Sequence, residues 1–266
     1  MTTPVALTIA GSDSSGGAGI QADLKTFAAL GVYGATVITA LTAQNTRGVA
    51  AIHPVPADFV AAQLEAVLGD LDVSAVKIGM VGAHACIEAI VGALERFSPP
   101  HVVLDPVMIA TSGERLLPAD AVDALRTKLV PRAAIVTPNL PEAAVLLGEP
   151  VASSEAAIEA QGRRLLSLGC RFVLIKGGHG HGEESIDYLI GAEGTVPLAG
   201  PRIATTHTHG TGCTLASAIA ASLAKGEHMP TAVLNAKKFI GDAIAAADRF
   251  AVGHGRAGVH HFHRFY

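Results

Sequence analysis

The sequence predicts an α/β fold, with a mostly parallel central sheet, helices on both of its faces and a hairpin at one edge. Short apolar runs rich in β-branched residues alternate with longer stretches whose apolar residues recur at helical spacing, which is the pattern of repeated βαβ units. The runs are apolar throughout, as is typical of parallel strands buried on both faces. Near residue 190 this alternation stops, and two short strand-like segments flank a Gly-Ala-Glu-Gly turn.

Each element follows from its local pattern. Apolar runs predict parallel strands over residues 4–10, 35–41, 75–78, 101–104, 133–136 and 172–175. Helical spacing predicts helices between them over residues 20–30, 59–68, 87–97, 121–129 and 156–168. The edge hairpin is predicted over 185–190 and 195–198, and Ala-rich patterns predict two further helices over 211–225 and 231–250. No polar linker or internal repeat divides the chain, so one domain over residues 1–266 is expected.

The composition narrows the class of protein before any motif is considered. Half of the 266 residues are hydrophobic and 16% are charged, a balance that supports a packed globular core and not a disordered chain. The formal net charge is -4 and the sequence has no basic cluster, which argues against a nucleic-acid partner.

Cysteine spacing and the apolar run near the N-terminus predict a cytoplasmic protein without a membrane span. Cys86, Cys170 and Cys213 are too few and too far apart for a disulfide framework or a zinc site, which favours a reducing compartment. The apolar run over residues 5–10 has no positive charge before it and is too short for a signal-peptide core or a transmembrane helix.

Polar and glycine-rich segments follow the predicted strands. They cover residues 11–19, 44–47, 105–115, 137–142, 177–184 and 206–213. In an open α/β sheet, ligands bind outside the carboxyl ends of the strands. These segments are therefore expected to line one crevice.

The segment 206–213 carries the strongest local signal. Gly210, Thr211 and Gly212 stand at the start of a predicted helix, where backbone N–H groups and the helix dipole favour an anion such as a phosphate. A turn whose glycines serve only backbone geometry is the alternative. Cys213 follows at the same helix start, where the thiolate is favoured, with a small buried thiol as the alternative. An orienting role is predicted for the flanking His209.

The glycine-rich segment 11–19 suggests a nucleotide-binding loop but matches neither common pattern. A dinucleotide site would need an acidic residue at the end of the next strand, and residues 37–41 are uncharged. No Walker A lysine follows the glycines, so a P-loop nucleotidase is not predicted either.

Charged and amide side chains just past three strands suggest phosphate and metal chemistry. Lys176 is placed to bring a positive charge to a phosphate, unless it is only a solvated strand end. Asp105, Asn139 and Glu142 offer the oxygen ligands that Mg2+ prefers. Asn139 and Glu142 also have the spacing of a helix capping box, and both roles are compatible. By contrast, the C-terminal His260, His261 and His263 match no metal-binding spacing, and a packed or surface tail is predicted.

Taken together, the motifs occur in an order specific to one enzyme family. They are GSDSSGGAGIQADLKTF from Gly11, AQNT from Ala43, KIGM from Lys77, DPVM from Asp105, TPNLPEA from Thr137, KGGH from Lys176, HGTGC from His209 and VHHFH from Val259. With these motifs the chain resembles, nearly end to end, the hydroxymethylpyrimidine/phosphomethylpyrimidine kinases. The resemblance implies a ribokinase-like fold, a homodimer, ATP with Mg2+, and two successive phosphorylations of 4-amino-5-hydroxymethyl-2-methylpyrimidine in thiamine biosynthesis.

The resemblance also implies roles for individual residues. It implies an anion hole at Gly210, Thr211 and Gly212, ATP contacts from Lys176, Thr208 and Asn139, and metal ligands Asp105 and Glu142. The residues that it implies around the pyrimidine are Gly11, Ala18, Asp23, Gln44, Met80 and Val107. Cys213 would accept the hydroxyl proton at a position where the wider group usually has aspartate, and this departure leaves the strength of the base open.

Other functions stay open at this level. A pyridoxal-type vitamin kinase would share the fold and the phosphate residues, a non-catalytic pyrimidine-binding protein would lack ATP turnover, and a Rossmann dehydrogenase is disfavoured by the uncharged second strand. Gln44 separates the two kinases, because a carboxamide pairs with both the ring nitrogen and the amino group of a 4-aminopyrimidine. Segments 110–115 and 177–182 are predicted lids.

Overall fold

The computed structural model describes residues 3–108, 117–178, 182–250 and 252–266, and in these ranges the strands form one nine-stranded sheet. The strands are β1 (Val5–Asp13), β2 (Tyr33–Asn45), β3 (Gly48–Pro54), β4 (Ala75–Ile78), β5 (Val102–Leu104), β6 (Ile135–Val136), β7 (Phe172–Ile175), β8 (Glu184–Gly191) and β9 (Gly194–Pro201). Their order across the sheet is β3-β2-β1-β4-β5-β6-β7-β8-β9. All neighbours from β2 to β7 are parallel, which confirms the predicted α/β class.

Every predicted helix is present, although at least one end of each differs from the predicted end. The helices are α1 (Gly19–Ala29), α2 (Ala57–Leu68), α3 (His84–Phe97), α4 (Ala119–Ala124), α5 (Leu140–Leu147), α6 (Glu155–Leu166), α7 (Thr211–Ala224) and α8 (Met229–Ala245). The pattern over 121–129 predicted one uninterrupted helix, but α4 passes into a wider π-helical turn, Leu125–Leu129. Within the described ranges, none of the helices is both long and apolar enough to cross a bilayer.

Alternate side chains of the strands pack on opposite faces of the sheet. On β1, Leu7 and Ile9 belong to the apolar cluster formed with α2 to α6, whereas Ala6 belongs to the cluster formed with α1, α7 and α8. Both faces are therefore covered by helices, and this is why the parallel strands are mostly apolar on both sides.

The two edges of the sheet differ in how readily the sequence reveals them. The predicted hairpin is confirmed at one edge, where β8 and β9 pair antiparallel and β8 also pairs antiparallel with β7. At the other edge β3 pairs antiparallel with β2, and the sequence did not predict this strand. Most of β3 is exposed, and its apolar residues 49–52 form only a short run between the polar segment 44–47 and His53.

Helix α5 was also missed, although its start signal is present in the sequence. Asn139 Oδ1 accepts a hydrogen bond from the Glu142 N–H at 2.8 Å, and Glu142 Oε2 accepts one from the Asn139 N–H at 2.8 Å. The predicted capping box is thus confirmed. Gly148 ends the helix at a φ of +67°, a left-handed conformation that favours glycine.

Candidate active site

Strand alternation brings five polar side chains to one face of the sheet, near the carboxyl ends of the strands. Each lies two positions after an apolar residue that belongs to the cluster formed with α1, α7 and α8, so its side chain points to the same face of the sheet. The pairs are Ala6 and Thr8, Ala75 and Lys77, Val103 and Asp105, Ile135 and Thr137, and Leu174 and Lys176. Thr8 and Lys77 are register partners on adjacent strands. The result is a polar layer at the sheet edge where ligands of open α/β folds bind.

Lys176 forms the centre of the first part of this layer. Its Nζ donates to Asp105 Oδ1 at 2.8 Å and lies 3.8 Å from Glu142 Oε2. Thr137 Oγ1 donates to the same Asp105 oxygen at 3.1 Å. Burial disfavours the charged lysine, but the two carboxylates outweigh it and raise the pKa of Lys176 above its ordinary value. A positively charged lysine and two carboxylates therefore meet, as the sequence predicted.

Glu142 combines the two roles that the sequence left open. The capping box fixes its carboxylate at the start of α5, beside Lys176. Burial, opposed by the charge of Lys176 and assisted by that of Asp105, raises the pKa of Glu142 to about 7. Asn139 holds the cap and forms a bridge to the Lys176 backbone, so both residues stand at the same end of the crevice.

The start of α7 faces the lysine and its carboxylates. Gly210 is the N-cap with a φ of +78°, and its carbonyl accepts the Thr214 N–H at 2.9 Å. At Gly212 an added Cβ would lie 3.3 Å from Lys176 Nζ and 3.5 Å from Asp105 Oδ2. The first N–H groups of a helix have no intrahelical acceptor. In α7 the Thr211 N–H donates to the Thr208 carbonyl at 3.3 Å, and the N–H groups that follow it are left for the crevice beside a charged lysine.

The turn that leads into α7 carries two further predicted residues. Thr211 Oγ1 donates to the Thr208 carbonyl at 2.7 Å, which closes the turn. The side chain of Thr208 is exposed beside the helix start. Both residues are therefore positioned next to the predicted phosphate seat.

Cys213 lies at the same helix start, where a thiolate was predicted. The structure instead favours the protonated thiol. The residue is partly exposed, and burial of the thiol raises the pKa of Cys213 to about 11 even though Lys77 acts to lower it. Asp23 and Asp105 add to the increase. Removal from water therefore outweighs the favourable charge of the lysine. Cys86 and Cys170 are buried, as predicted.

Asp23 lies beneath the crevice and not at its surface, which corrects its predicted contact with the pyrimidine. Its carboxylate accepts hydrogen bonds from Thr8 Oγ1 at 2.6 Å, Ser217 Oγ at 2.6 Å and Lys77 Nζ at 2.9 Å. Neither Asp23 nor Lys77 has exposed surface. No role was predicted for Lys77, although a lysine inside an apolar strand is a signal that could have revealed a buried ion pair.

Asp13, at the end of β1, organises the glycine-rich segment that follows it. Its Oδ1 accepts from the N–H and hydroxyl of Ser15, and its Oδ2 accepts from the N–H groups of Gly17 and Ala18. His209 Nε2 lies 2.8 Å from Oδ2. Burial alone would raise the pKa of Asp13, but these hydrogen bonds outweigh it and lower the pKa to about 2. Sequence reasoning missed Asp13 and predicted only an orienting role for His209.

The remaining predicted ring contacts lie around this network. One terminal atom of the Gln44 carboxamide is 3.3 Å from His209 Nε2. Gly11 provides space for Met80, because an added Cβ would come within 2.5 Å of Met80 Cε. Val107 is partly exposed, and its N–H donates to the Asp105 carbonyl at 2.8 Å. Gln44 is thus connected to Ala18 through His209 and Asp13. Val107 is connected instead to Asp105, beside Lys176.

Asp105 and Glu142 have the chemistry of a magnesium site that is completed by a substrate. Both are oxygen donors beside Lys176, and Asp105 Oδ2 faces Gly212. Among the described residues, no group of three or more His, Cys, Asp or Glu side chains is arranged to hold a metal by itself. Mg2+ is commonly bound by one or two carboxylates together with phosphate oxygens and water, so this pair fits it.

The C-terminal histidines pack against the body of the protein, as predicted. His261 Nε2 lies 2.9 Å from Thr214 Oγ1 at the start of α7, and His260 stacks on Phe250 with ring centroids 4.9 Å apart. The predicted lid over 110–115, and residues 179–181 of the lid over 177–182, lie outside the described residues.

A helix start that faces a charged lysine and two carboxylates, at the carboxyl edge of a mostly parallel sheet, defines a phosphate-transferring enzyme, and the fold is ribokinase-like. The family model for phosphomethylpyrimidine kinase matches residues 13–260, and the chain belongs to this family of kinases. It is 55% identical over 264 residues to a hydroxymethylpyrimidine/phosphomethylpyrimidine kinase of Rhizobium meliloti, covering 99% of each chain. The corresponding Escherichia coli protein is 51% identical over 261 residues, with 98% of each chain covered.

Solved structures similar to this chain include two kinds of kinase. A phosphomethylpyrimidine kinase of Clostridium difficile has a TM-score of 0.81 and 45% identity, covering 90% of this chain and 99% of the other. The pyridoxal kinase of Bacillus subtilis, solved as an ADP complex, has a TM-score of 0.91 and 36% identity over 100% of both chains. The pyridoxal kinase of Staphylococcus aureus with AMP-PCP and pyridoxal has a TM-score of 0.91 and 32% identity, covering 100% of this chain and 96% of the other.

Proposed function

We propose that this kinase transfers a phosphoryl group from ATP to 4-amino-5-hydroxymethyl-2-methylpyrimidine, and then phosphorylates the monophosphate to the diphosphate, in thiamine biosynthesis. The observation that carries the proposal is the meeting of the α7 start with Lys176 and Asp105 across Gly212. Similarity over nearly the whole chain to kinases named for these pyrimidines supports the choice of ring.

At the phosphate end, the enzyme's contribution would be positioning and charge stabilisation, which dominate phosphoryl transfer. The backbone N–H groups of Gly210, Thr211 and Gly212 would bind the oxygens of the transferring group, and Lys176 would offset its developing charge. Asp105 and Glu142 would hold Mg2+, which supplies further neutralisation of phosphate charge when bound. Thr208 and Asn139 would contact the phosphates of ATP from either side of this seat.

Cys213 would contact the reacting hydroxyl group without acting as a strong base. Its raised pKa leaves the thiol protonated at neutral pH. A loose transition state for phosphoryl transfer requires little removal of the hydroxyl proton before the phosphoryl group arrives. We therefore expect Cys213→Ala to lower kcat by less than about 100-fold, the lower end of the loss for a general base. A larger loss, restored in part by raising the pH, would support the base role.

At the ring end, Gln44 would pair with the ring nitrogen and the amino group of the pyrimidine. Gly11, Ala18, Met80 and Val107 would line the ring. This edge also decides between the two candidate substrates. The pyridoxal kinase structures share the fold over the whole chain, which favours a pyridoxal-type activity as the second candidate, but pyridoxal lacks an amino group beside a ring nitrogen.

The substrate assignment is tested with the purified enzyme, ATP and Mg2+, by ADP release with the aminopyrimidine, its monophosphate and pyridoxal in turn. We expect turnover with the first two. Gln44→Leu should raise KM for the aminopyrimidine by roughly 5- to 100-fold and leave KM for ATP unchanged. Preference for pyridoxal, or an effect of Gln44→Leu on ATP alone, would contradict the assignment.

The phosphate seat is tested by comparing two glycine-to-alanine changes in helices. At Gly212 the new methyl group would lie 3.3 Å from Lys176 Nζ, a tight contact, whereas at Gly92 in α3 an added Cβ meets nothing within 4 Å. We expect Gly212→Ala to lower kcat by about 100-fold, since a small displacement of reacting groups has an effect of this size. Gly92→Ala should leave kcat unchanged. Equal kcat values in both variants would contradict the proposed phosphate seat.

We also propose a homodimer, a cytoplasmic location and one catalytic domain over residues 1–266, each of which remains a prediction. Exposed Tyr33, Leu41 and Ile52 on β2 and β3 support the dimer, because they are large apolar side chains left uncovered near this edge of the sheet. Sedimentation velocity should give twice the mass of the chain. A monomer at micromolar concentration would contradict the proposed dimer.

A further inference from the structure

The carboxamide of Gln44 has two polar neighbours that together determine which way it points. Its two terminal atoms lie 3.1 Å from Thr42 Oγ1 and 3.3 Å from His209 Nε2. The Gln44 backbone is held by Ser14 Oγ, which accepts from its N–H and donates to its carbonyl, both at 2.8 Å. The position of the carboxamide is therefore fixed, and the remaining question is which of its two terminal atoms is the oxygen and which is the nitrogen.

His209 acts as a hydrogen-bond donor at this point. Its Nε2 lies 2.8 Å from Asp13 Oδ2, which also accepts from the N–H groups of Gly17 and Ala18. An oxygen that collects donors in this way belongs to an ionised carboxylate, in agreement with the lowered pKa of Asp13. An unprotonated Nε2 would set a lone pair against that charge, so Nε2 carries the hydrogen. A protonated Nε2 has no lone pair that could accept from an amide N–H, so the group of Gln44 that faces it must be the oxygen.

Thr42 leads independently to the same orientation. Its hydroxyl donates to the Ser12 carbonyl at 2.8 Å, and a carbonyl oxygen has no hydrogen to give in return. The one hydroxyl hydrogen is thus used, and Thr42 Oγ1 can only accept from Gln44. The group that faces Thr42 must be the amide nitrogen.

We propose that His209, held by Asp13, and Thr42 are positioning residues that orient the Gln44 carboxamide with its oxygen toward His209 and its nitrogen toward Thr42. Each amide atom keeps one free bonding position, an acceptor on the His209 side and a donor on the Thr42 side. Resting on the proposed function, this orientation also fixes the direction of the substrate ring.

The direction follows from the order of groups along the edge of the pyrimidine, which is ring nitrogen, amino group and hydroxymethyl group. The ring nitrogen accepts a hydrogen bond, so it would pair with the amide nitrogen on the Thr42 side. The amino group would pair with the amide oxygen on the His209 side. The hydroxymethyl group then extends beyond His209, which precedes Gly210 in the chain. The opposite amide orientation would place the reacting group on the Thr42 side.

The protonation of His209 can be measured without any substrate. Long-range 1H–15N NMR spectra of the intact enzyme at pH 8, where imidazoles are mostly neutral, distinguish the two ring nitrogens, and His209→Gln identifies the signal. We expect the hydrogen on Nε2. A neutral His209 with its hydrogen on Nδ1 would overturn the proposal while leaving the proposed kinase activity untouched.

A double-mutant cycle tests whether these residues act through Gln44. Thr42→Val and His209→Phe should each raise KM for the aminopyrimidine by about 3- to 10-fold, the effect of one hydrogen bond. KM for ATP should not change. In the Gln44→Leu background neither change should raise KM further, because no carboxamide remains to be oriented. Additive effects in that background would overturn the proposal.

Conservative variants separate positioning from a general structural role. Thr42→Ser keeps the hydroxyl, and we expect KM close to that of the unaltered enzyme. Because His209→Phe also removes a partner of Asp13, the Thr42 arm keeps the test informative if that variant does not fold. If the unaltered enzyme has no activity on aminopyrimidines, the proposed function fails, and the NMR result still decides the orientation of Gln44.

Discussion

Two lysine–aspartate pairs lie on the same face of the sheet, and they differ in what else the aspartate can bind. Lys77 and Asp23 are 2.9 Å apart with no exposed side-chain surface. Lys176 and Asp105 are 2.8 Å apart, but 15% of the Lys176 side chain is exposed. In both pairs burial opposes the lysine charge, and the neighbouring carboxylate nonetheless raises the lysine pKa.

The difference lies in the remaining partners. Asp23 receives hydroxyl hydrogen bonds from Thr8 and Ser217, so the protein itself satisfies both of its oxygens. Asp105 shares one oxygen between Lys176 and Thr137, while Oδ2 is directed toward the glycine start of α7. A closed pair of this kind serves stability, whereas an open pair beside a helix start serves a ligand. The same substitution should therefore have different effects at the two lysines.

The largest expected effect is on stability, at the closed pair. Lys77→Met leaves the Asp23 carboxylate buried without its counter-charge, and breaking a buried pair in this way costs roughly 3–5 kcal/mol. Urea unfolding followed by circular dichroism measures the loss. In Lys77→Met/Asp23→Asn the charge is removed and the amide oxygen remains as an acceptor for one of the two hydroxyl groups, Thr8 or Ser217, so we expect part of the stability to return. A loss below about 1 kcal/mol in the single variant would contradict the closed-pair interpretation.

The matched change at the open pair should act on turnover instead. Lys176→Met removes the charge that faces the phosphate seat, and loss of one preorganised group there typically lowers kcat by about 100- to 1,000-fold. The free energy of unfolding should fall less than in Lys77→Met, because Asp105 retains Thr137. Steady-state kinetics and urea unfolding on the same samples check both parts. If Lys176→Met were the less stable variant, the contrast between the pairs would be wrong.

Asp13, near the proposed ring site, provides a third aspartate for comparison. Its contribution to the free energy of unfolding should disappear in acid. Because the folded-state pKa of Asp13 is lowered to about 2, its ionised form stabilises the fold above pH 4. This contribution of about 2 kcal/mol is lost as the pH falls from 4 toward 2. The difference in unfolding free energy between the enzyme and Asp13→Asn should be constant at pH 5 to 7 and shrink below pH 4. A difference independent of pH would contradict it.

The smallest expected effect concerns the thiol between the two lysine pairs. Cys213 is partly exposed while Cys86 and Cys170 are buried, so iodoacetamide should label Cys213 first. Because burial raises the pKa of Cys213 to about 11, the labelling rate should keep rising from pH 7 to pH 9.5. Peptide mapping by mass spectrometry identifies the labelled residue, and bound pyrimidine should protect it. A rate that levels off near pH 7 would indicate a thiolate and restore the base role.

The sequence by itself determined the class of fold and pointed to the residues of the proposed phosphate seat. Strand and helix patterns depend on neighbours a few residues apart, so β4 and β7 were predicted with the boundaries that the structure shows. The glycines of α7 and the cap at Asn139 are also local signals. Where the local pattern was weak, as in exposed β3, the element was missed.

Only the tertiary structure decided which polar groups have all their partners inside the protein and which can still bind a ligand. This depends on contacts between segments that are distant in the sequence. Asp23 on α1 contacts Lys77 on β4 and Ser217 on α7. These contacts hold Asp23 in the interior, whereas the predicted position was beside the pyrimidine ring. His209 meets Asp13 across 196 positions of the chain. The pKa of Cys213 likewise depends on burial by surrounding elements. A helix start alone predicts a thiolate, and removal from water reverses that prediction.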